Sequence, residues 1–170
     1  LDNDSWAAIG NAATPFKGII HGAGRKIKNL RLSDTEYTGL FGYVQNADIS
    51  YMTVVTQKNM DMGTTMNAKF IGIVAGSAVN SSLKEINVTG ESKADDGSTK
   101  GLLIGGVTCY MDNVNVYDIA SAVDIETVTP SADAGLGGIT GKAENSVIEK
   151  SLSTGDITGG QNASAGGIVG

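Results

Sequence analysis

The chain has 170 residues and a formal net charge of −6, and this acidity argues against binding to nucleic acid or to anionic membranes. Only 5% of its residues are aromatic, whereas 24 are glycine and two are proline. Few large side chains disfavour a compact two-layer core, and the scarcity of proline is not typical of a disordered linker. This composition favours a thin, repetitive β structure.

The first predicted element is an opening unit over residues 1–33, which holds a weak glycine-based motif at residues 16–20, Phe-Lys-Gly-Ile-Ile. Residues 34–170 then repeat one pattern, so we expect a single repeat domain over residues 1–170. Because the sequence stops inside a repeat unit, we expect the chain to be a fragment of a larger protein. The longest apolar run, residues 101–110, is too short to span a bilayer, so no membrane insertion is expected.

The repeat begins with a glycine motif: glycine, an aliphatic residue, any residue, and a residue no larger than cysteine. Its copies start 33, 34, 32 and 29 residues apart. Glycine is expected where φ is positive or where the next rung leaves no room for a Cβ atom. At Ala75 and Cys109, which replace the second glycine, tight packing is the better explanation. The predicted structural glycines are Gly39, Gly42, Gly72, Gly106, Gly138, Gly141, Gly167 and Gly170.

A strand motif follows each glycine motif by about ten residues, with inward side chains predicted at its first, fourth and sixth positions. These units are rich in β-branched residues and bounded by turn formers, and one unit alone cannot bury an apolar face. The sequence therefore predicts an all-β fold, a β-solenoid of about five rungs, with loops at residues 58–67, 91–100 and 124–133. The predicted inward sets are Ile27/Leu30/Leu32, Ile49/Met52/Val54, Leu83/Ile86/Val88, Val114/Tyr117/Ile119 and Ile148/Ser151/Ser153.

The sequence offers little catalytic or metal-binding chemistry. It lacks an H-E-x-x-H motif, and its one histidine, His21, could pair only with the distant Cys109. Carboxylate pairs are the best enzymatic possibility, but a solvated acidic face explains them equally well. We therefore expect no catalytic residue, cofactor or metal site. The carboxylate pairs are Asp95/Asp96, Asp112/Asp118 and Asp124/Glu126, and Asp2/Asn3/Asp4 or Asp95/Asp96 are possible calcium ligands without the EF-hand spacing.

The five tyrosines, Tyr37, Tyr43, Tyr51, Tyr110 and Tyr117, could form a surface that stacks on sugars or docks a protein. Tyr117 occupies a predicted inward position and is expected in the core. Tyr43 and Tyr51 are the candidates for surface binding.

The glycine motif and the strand motif resemble the GLUG-motif repeats of bacterial surface proteins over nearly the whole chain. Gly39-Leu40-Phe41-Gly42 fits the signature, and residues 15–33 look like the unit that often precedes such repeats, with His21 in place of its aspartate. The resemblance implies a right-handed parallel β-helix, secreted or attached to the cell surface. It implies a rigid spacer or an adhesive region, with a host protein or glycan as the partner.

The resemblance leaves the parent protein open. Such repeats also occur in the non-catalytic N-terminal part of zinc-dependent IgA-specific metalloendopeptidases, so an accessory region of a secreted protease is the alternative function. A carbohydrate-active β-helix is the second alternative.

Overall fold

A computed structural model describes residues 5–57, 70–94, 101–127 and 134–170. Its described residues form β-strands without any helix. The strands are β1 (Phe16–Leu30), β2 (Tyr37–Thr38), β3 (Phe41–Thr56), β4 (Phe70–Gly72), β5 (Ala75–Val79), β6 (Ser82–Ala94), β7 (Leu103–Gly105), β8 (Thr108–Asp112), β9 (Asn115–Thr127), β10 (Gly135–Gly137), β11 (Thr140–Glu144), β12 (Val147–Glu149), β13 (Leu152–Ser153), β14 (Ile157–Thr158) and β15 (Ser164–Gly166).

The strands stack in parallel into two sheets that run along one axis. The smaller sheet has the order β15-β10-β7-β4-β2, and the larger has the order β11-β8-β5-β3-β6-β9-β12. In the larger sheet β1 also pairs with β3, and β13 and β14 also pair with β9. Each strand therefore pairs with the corresponding strand one rung away. The predicted β-solenoid of about five rungs is confirmed, and the handedness of its coil stays a prediction.

The core is a column of equivalent side chains from successive rungs. Ile49 pairs with Leu83, which pairs with Val116, and all three are buried. Beside them, Met52, Ile86 and Ile119 stack in the same way. Burying this surface stabilises the coil by about 25 cal/mol per Å² of apolar area.

Two of the predicted inward sets have the wrong register. In β9 the residues that stack on the preceding rung are Val116, Ile119 and Ser121. The predicted set therefore began two residues too early, at Val114. Tyr117 faces outward, between Lys84 and Glu149 of the adjacent rungs. Val114 is nevertheless buried at the corner before β9, where its backbone N–H donates to Ser146 Oγ at 3.0 Å. Its apolar side chain at this corner explains the error.

The first rung differs in a similar way. Ile27 pairs with Val54, while Ile20 pairs with Ile49, so the strand motif of this rung starts at Ile20. The register of β1 shifts between His21 and Arg25, because the glycine-rich turn there holds extra residues.

The spacing of the strand motif has a backbone cause. Tyr51, Glu85, Asp118 and Lys150 share one corner of the coil, and their φ angles of 57°, 52°, 55° and 47° lie in the left-handed region. Each follows the first inward residue by two positions and adds one residue to the outward side. This is why inward side chains fall at positions one, four and six, whereas a straight strand alternates strictly.

A second left-handed corner lies three residues before each of the four later strand motifs, and an asparagine occupies it every time. Asn46, Asn80, Asn113 and Asn145 have φ angles of 52°, 47°, 54° and 47°. Asparagine tolerates this region better than most residues because its short polar side chain bonds locally. Its Nδ2 group at Asn113 donates to Oδ1 of Asn80 at 2.8 Å.

Close approach, not positive φ, explains the glycine motif. Gly72, Gly105, Gly137 and Gly166 stack as one file, and a Cβ atom on any of them would overlap the carbonyl oxygen three residues later. The predicted Gly106, Gly138 and Gly167 come one residue after this file. Gly39 lies against Gly72, whose carbonyl oxygen would overlap its Cβ atom.

The second glycine of the motif also stacks along the axis. From the pairing of β3, β5, β8 and β11, Gly42, Gly76, Cys109 and Gly141 occupy equivalent positions. Ala75, predicted to replace this glycine, instead pairs with Phe41. Gly170, in the last rung, lies against the backbone of Leu136.

The predicted loops are shorter than expected where they are described. Glu91–Ala94 continues β6 and Asp124–Thr127 continues β9, because these residues pair with each other along the axis. Residues 58–67, 95–100 and 128–133 lie outside the described residues.

Candidate binding groove

A groove of about 290 Å³ runs along the corner between the two sheets. We call it the corner groove, and its lining residues are Tyr37, Tyr43, Phe70, Ser77, Leu103, Tyr110 and Lys142. One wall comes from Tyr37, Phe70 and Leu103, which pair on β2, β4 and β7. The repeat therefore places side chains from distant parts of the sequence in one file.

The opposite wall comes from the larger sheet. Tyr43 pairs with Ser77, Ser77 with Tyr110, and Tyr110 with Lys142. The side chains at this position point away from the core, since the buried Val44, next to Tyr43, faces inward. Aromatic, hydroxyl and amine groups therefore follow one another along the axis.

The aromatic rings of the groove contact one another. The Tyr37 ring stacks on the Phe70 ring, with centroids 4.8 Å apart and an interplanar angle of 7°. Tyr37 also meets Tyr43 edge to face at 5.3 Å and 78°. Such pairs hold the rings in place. Partial burial, followed by the charge of Glu36, raises the pKa of Tyr37.

A polar cluster borders the groove at the later rungs. Glu144 accepts a hydrogen bond from the Tyr110 hydroxyl at 2.8 Å and forms a 2.7 Å salt bridge with Lys142. The hydrogen bonds from Lys142 and Tyr110 lower the pKa of Glu144. The bond to Glu144, followed by desolvation, raises the pKa of Tyr110 to about 12. The Lys142 ammonium lies 5.8 Å from the centroid of the Tyr110 ring.

A second groove shares one lining residue, Tyr37, with the corner groove. It has a volume of about 420 Å³ and is lined mainly by small side chains of the first rung, with Thr35 and Glu36 beside Tyr37. Ile9 bridges to Phe41, so this first rung stacks on the same axis. The first-rung residues of the second groove are Ala7, Ala8, Gly10, Asn11, Ala12 and Ala13.

The structure does not bring the two predicted binding tyrosines together. Tyr43 lines the corner groove, whereas Tyr51 lies at a left-handed corner, 47% exposed and edge to face with His21 at 5.4 Å. Tyr51 lines a different groove of about 280 Å³ with Glu85 and Asp118. Binding at Tyr51 and at Tyr43 would therefore involve separate surfaces.

Tyr117 also lies elsewhere. It is predicted to be in the core but points outward, where Lys150 donates to its hydroxyl group. The same ammonium sits 4.8 Å from the centroid of the Tyr117 ring. This hydrogen bond raises the pKa of Lys150.

Three of the candidate carboxylates have partners one rung away. Glu126 forms a 3.2 Å salt bridge with Lys93, and Asp124 accepts a hydrogen bond from the backbone of Asp156 at 2.9 Å. Asp112 accepts a 2.9 Å hydrogen bond from Asn145. The remaining pair, Asp95 and Asp96, and the possible calcium ligands of residues 2–4 lie outside the described residues.

His21 and Cys109, the two residues considered as metal ligands, lie in different surroundings. His21 is exposed and accepts from the Ala23 backbone at 3.1 Å, whereas Cys109 is fully buried, which raises the pKa of its thiol well above the ordinary value. Within the described ranges, no three His, Cys, Asp or Glu side chains come together to hold a metal ion. These ranges also contain no helix long and apolar enough to cross a membrane.

Sequence reasoning missed most of the groove. Tyr37 and Tyr110 were among the five tyrosines but were not singled out, and Phe70 was not considered. Their common signal is position: Tyr37 and Phe70 each precede a stacked glycine by two residues, and Tyr43 and Tyr110 each follow a motif's second small residue. Comparison of the chain with protein-family models, curated proteins and solved structures gives no match.

Proposed function

We propose that this chain is a non-catalytic extracellular module of a large bacterial surface protein, a rigid spacer that also presents a binding region. The observation that carries this proposal is the unbroken stack of equivalent positions from rung to rung. In the strands that the structure describes, each rung bonds to the rung next to it, so the length of the rod follows from the number of repeats.

Interactions along the axis support the role of a stiff spacer. Backbone bonds join consecutive rungs, such as Val74 N–H to Val107 O at 2.8 Å and Val107 N–H to Ile139 O at 3.0 Å. Side chains add contacts in the same direction, including the bond between Asn80 and Asn113. Bending the rod would stretch many of these bonds together, so we expect it to resist bending.

The environment of the carboxylates supports a non-catalytic role. A general acid needs a raised pKa so that it is protonated near neutral pH. The pKa of Glu144 moves in the opposite direction, and Glu126 forms a salt bridge with Lys93. These carboxylates have structural partners one rung away or on their own strand.

Distance measurement between the two ends tests the spacer role. Spin labels at Cys residues introduced at Ala13 and Asn162, with Cys109→Ala, place one label near each end of the rod. We expect a single narrow distance distribution by electron paramagnetic resonance. A broad distribution in a folded sample would contradict the proposal.

Location and parent protein need separate experiments. Antibodies raised against the module should label intact cells of the source bacterium or its culture medium, and labelling only after permeabilisation would contradict an extracellular role. Reading the whole gene separates the two parents: an anchor signal and further repeats indicate an adhesin, whereas an encoded H-E-x-x-H motif indicates the accessory region of a zinc protease.

A further inference from the structure

We propose that the corner groove binds an unbranched, uncharged oligosaccharide chain along the axis of the solenoid. This inference rests on the proposed binding role of the module. It adds the chemical class of the ligand and the residues that contact it.

The aromatic wall favours a sugar ligand. Pyranose rings present C–H bonds on one face, and these bonds pack against the negatively polarised face of an aromatic ring. Tyr37 contacts the rings of both Tyr43 and Phe70, and Tyr110 adds a fourth ring further along the groove. Aromatic rings therefore line the groove at more than one rung, where more than one sugar unit could contact them.

The polar groups beside the rings match sugar hydroxyls. Lys142 and Glu144 are both accessible, with side chains 53% and 42% exposed. The ammonium donates hydrogen bonds and the carboxylate accepts them, and a hydroxyl group can do both. Because the two charges neutralise each other, the cluster favours an uncharged chain over a polyanionic one.

The backbone of the groove argues against an extended peptide as the ligand. Peptides that add to a sheet need an edge with unpaired N–H and C=O groups. Here Leu40 and Phe41 donate to Ile73 and Val74 at 2.9 and 2.8 Å, so these groups already bond to the next rung. Recognition in the groove therefore depends on side chains.

The corner groove also spans several rungs. Its wall on the larger sheet holds four stacked positions, from Tyr43 through Ser77 and Tyr110 to Lys142. At roughly 4.8 Å per rung these positions cover about 14 Å, which leaves room for more than one sugar unit along the axis. This length favours an oligosaccharide over a single sugar.

Isothermal titration of the chain with cellohexaose, xylohexaose, mannohexaose and the hexamer of N-acetylglucosamine tests the proposal. The test variant combines Tyr43→Ser, Phe70→Leu and Tyr110→Ser, because Ser77 and Leu103 already occupy these columns in other rungs. The control is Tyr117→Lys, since Lys84 occupies that column on another face.

We expect at least one hexasaccharide to bind, with an affinity at least roughly tenfold weaker in the triple variant and unchanged in the control. Circular dichroism verifies the fold, and the single variants Tyr43→Ser and Tyr110→Ser replace the triple variant if it does not fold. The proposal would be overturned if no sugar binds at millimolar concentration, or if the groove variants bind the sugar as well as the unchanged chain does. It would also be overturned if the groove binds a proline-rich peptide and none of the sugars.

Failure of the sugar-binding proposal can be distinguished from failure of the proposed spacer function. A narrow end-to-end distance distribution without sugar binding would leave the spacer role intact and remove only the ligand. A broad distribution would remove the spacer role whatever the titrations show.

Discussion

Asn113 donates a hydrogen bond from Nδ2 to Oδ1 of Asn80 at 2.8 Å, although 33 residues separate them. Both residues have positive φ, 54° and 47°, so their backbones turn the same corner in successive rungs. The corner, not the apolar residues alone, sets where each strand motif begins. A change in one rung is therefore felt by its neighbours, and this determines how the following variants should behave.

A charge in the core column should destabilise the coil strongly. Val88 is fully buried between Val54 and Ser121 of the adjacent rungs. We expect Val88→Asp to lower the free energy of unfolding by about 3–5 kcal/mol, because the carboxylate would be buried without a partner. Urea denaturation measures this, with the exposed Thr89→Asp as control. Equal stability of the two variants would show that the inward register is wrong.

The glycine file should not tolerate a Cβ atom. At Gly105 a Cβ atom would overlap Thr108 O and come within 2.8 Å of Thr140 Cα, whereas nothing lies within 4 Å of the same atom at Gly167. We expect Gly105→Ala to cost about 1–3 kcal/mol and Gly167→Ala to stay within about 0.5 kcal/mol of the unchanged chain. Thermal unfolding compares them, and a more stable Gly105→Ala chain would refute close approach as the reason for glycine.

Relief of backbone strain should stabilise the chain. Glu85 is exposed and has a φ of 52°, a region in which asparagine is favoured over glutamate. We expect Glu85→Asn to raise the free energy of unfolding by about 0.5–1 kcal/mol. Lys84→Asn, at the extended neighbouring position, should give no gain. If both variants gain equally, the left-handed corner is not the cause.

In the polar cluster of the corner groove, we expect Tyr110 to lose its proton at an unusually high pH. The pKa of Tyr110 is raised to about 12, above the ordinary value of about 10. Because the folded value is the higher one, the stabilisation by the neutral phenol is fully present below pH 10 and is lost as the pH rises through 12. Ultraviolet titration should therefore show a phenol that titrates near pH 12 and is missing in Tyr110→Phe.

The same cluster supplies the control for this titration. Glu144→Gln removes the carboxylate that accepts the Tyr110 hydrogen bond, so the pKa of Tyr110 should fall towards its ordinary value. The pKa of Glu144 itself is lowered, so its contribution is present above its unfolded pKa and is lost as the pH falls through the folded value. A phenol that still titrates near pH 12 in Glu144→Gln would contradict the hydrogen bond.

The repeat made the fold predictable from the sequence, because the β-branched strand motifs and the glycines recur together. The inward sets Ile49/Met52/Val54 and Leu83/Ile86/Val88 stack as predicted. Register errors arose at Val114 and Ile27, where an apolar residue lies near a corner or an irregular turn. Spacing alone cannot distinguish a corner residue from a strand residue when both are buried.

The candidate groove was harder to predict. Tyr37 and Phe70 meet only because strands β2 and β4 pair in register, and their aromatic contact has no local sequence pattern. The recurring asparagine, three residues before each of the four later strand motifs, was the signal that could have fixed their register in advance. Once the register is known, the outward columns follow from it.

Cross-linking at the asparagine corner tests the stacking most directly. Neighbouring parallel strands lie about 4.8 Å apart, within the Cα separation of about 4.4–6.8 Å that a disulfide requires. In a Cys109→Ala background, Asn80→Cys with Asn113→Cys should form an intramolecular disulfide under mild oxidation, seen by mass spectrometry. Asn46→Cys with Asn113→Cys, two rungs apart, should stay reduced. A reduced first pair, or equal cross-linking of both pairs in the monomer, would contradict the stacked solenoid.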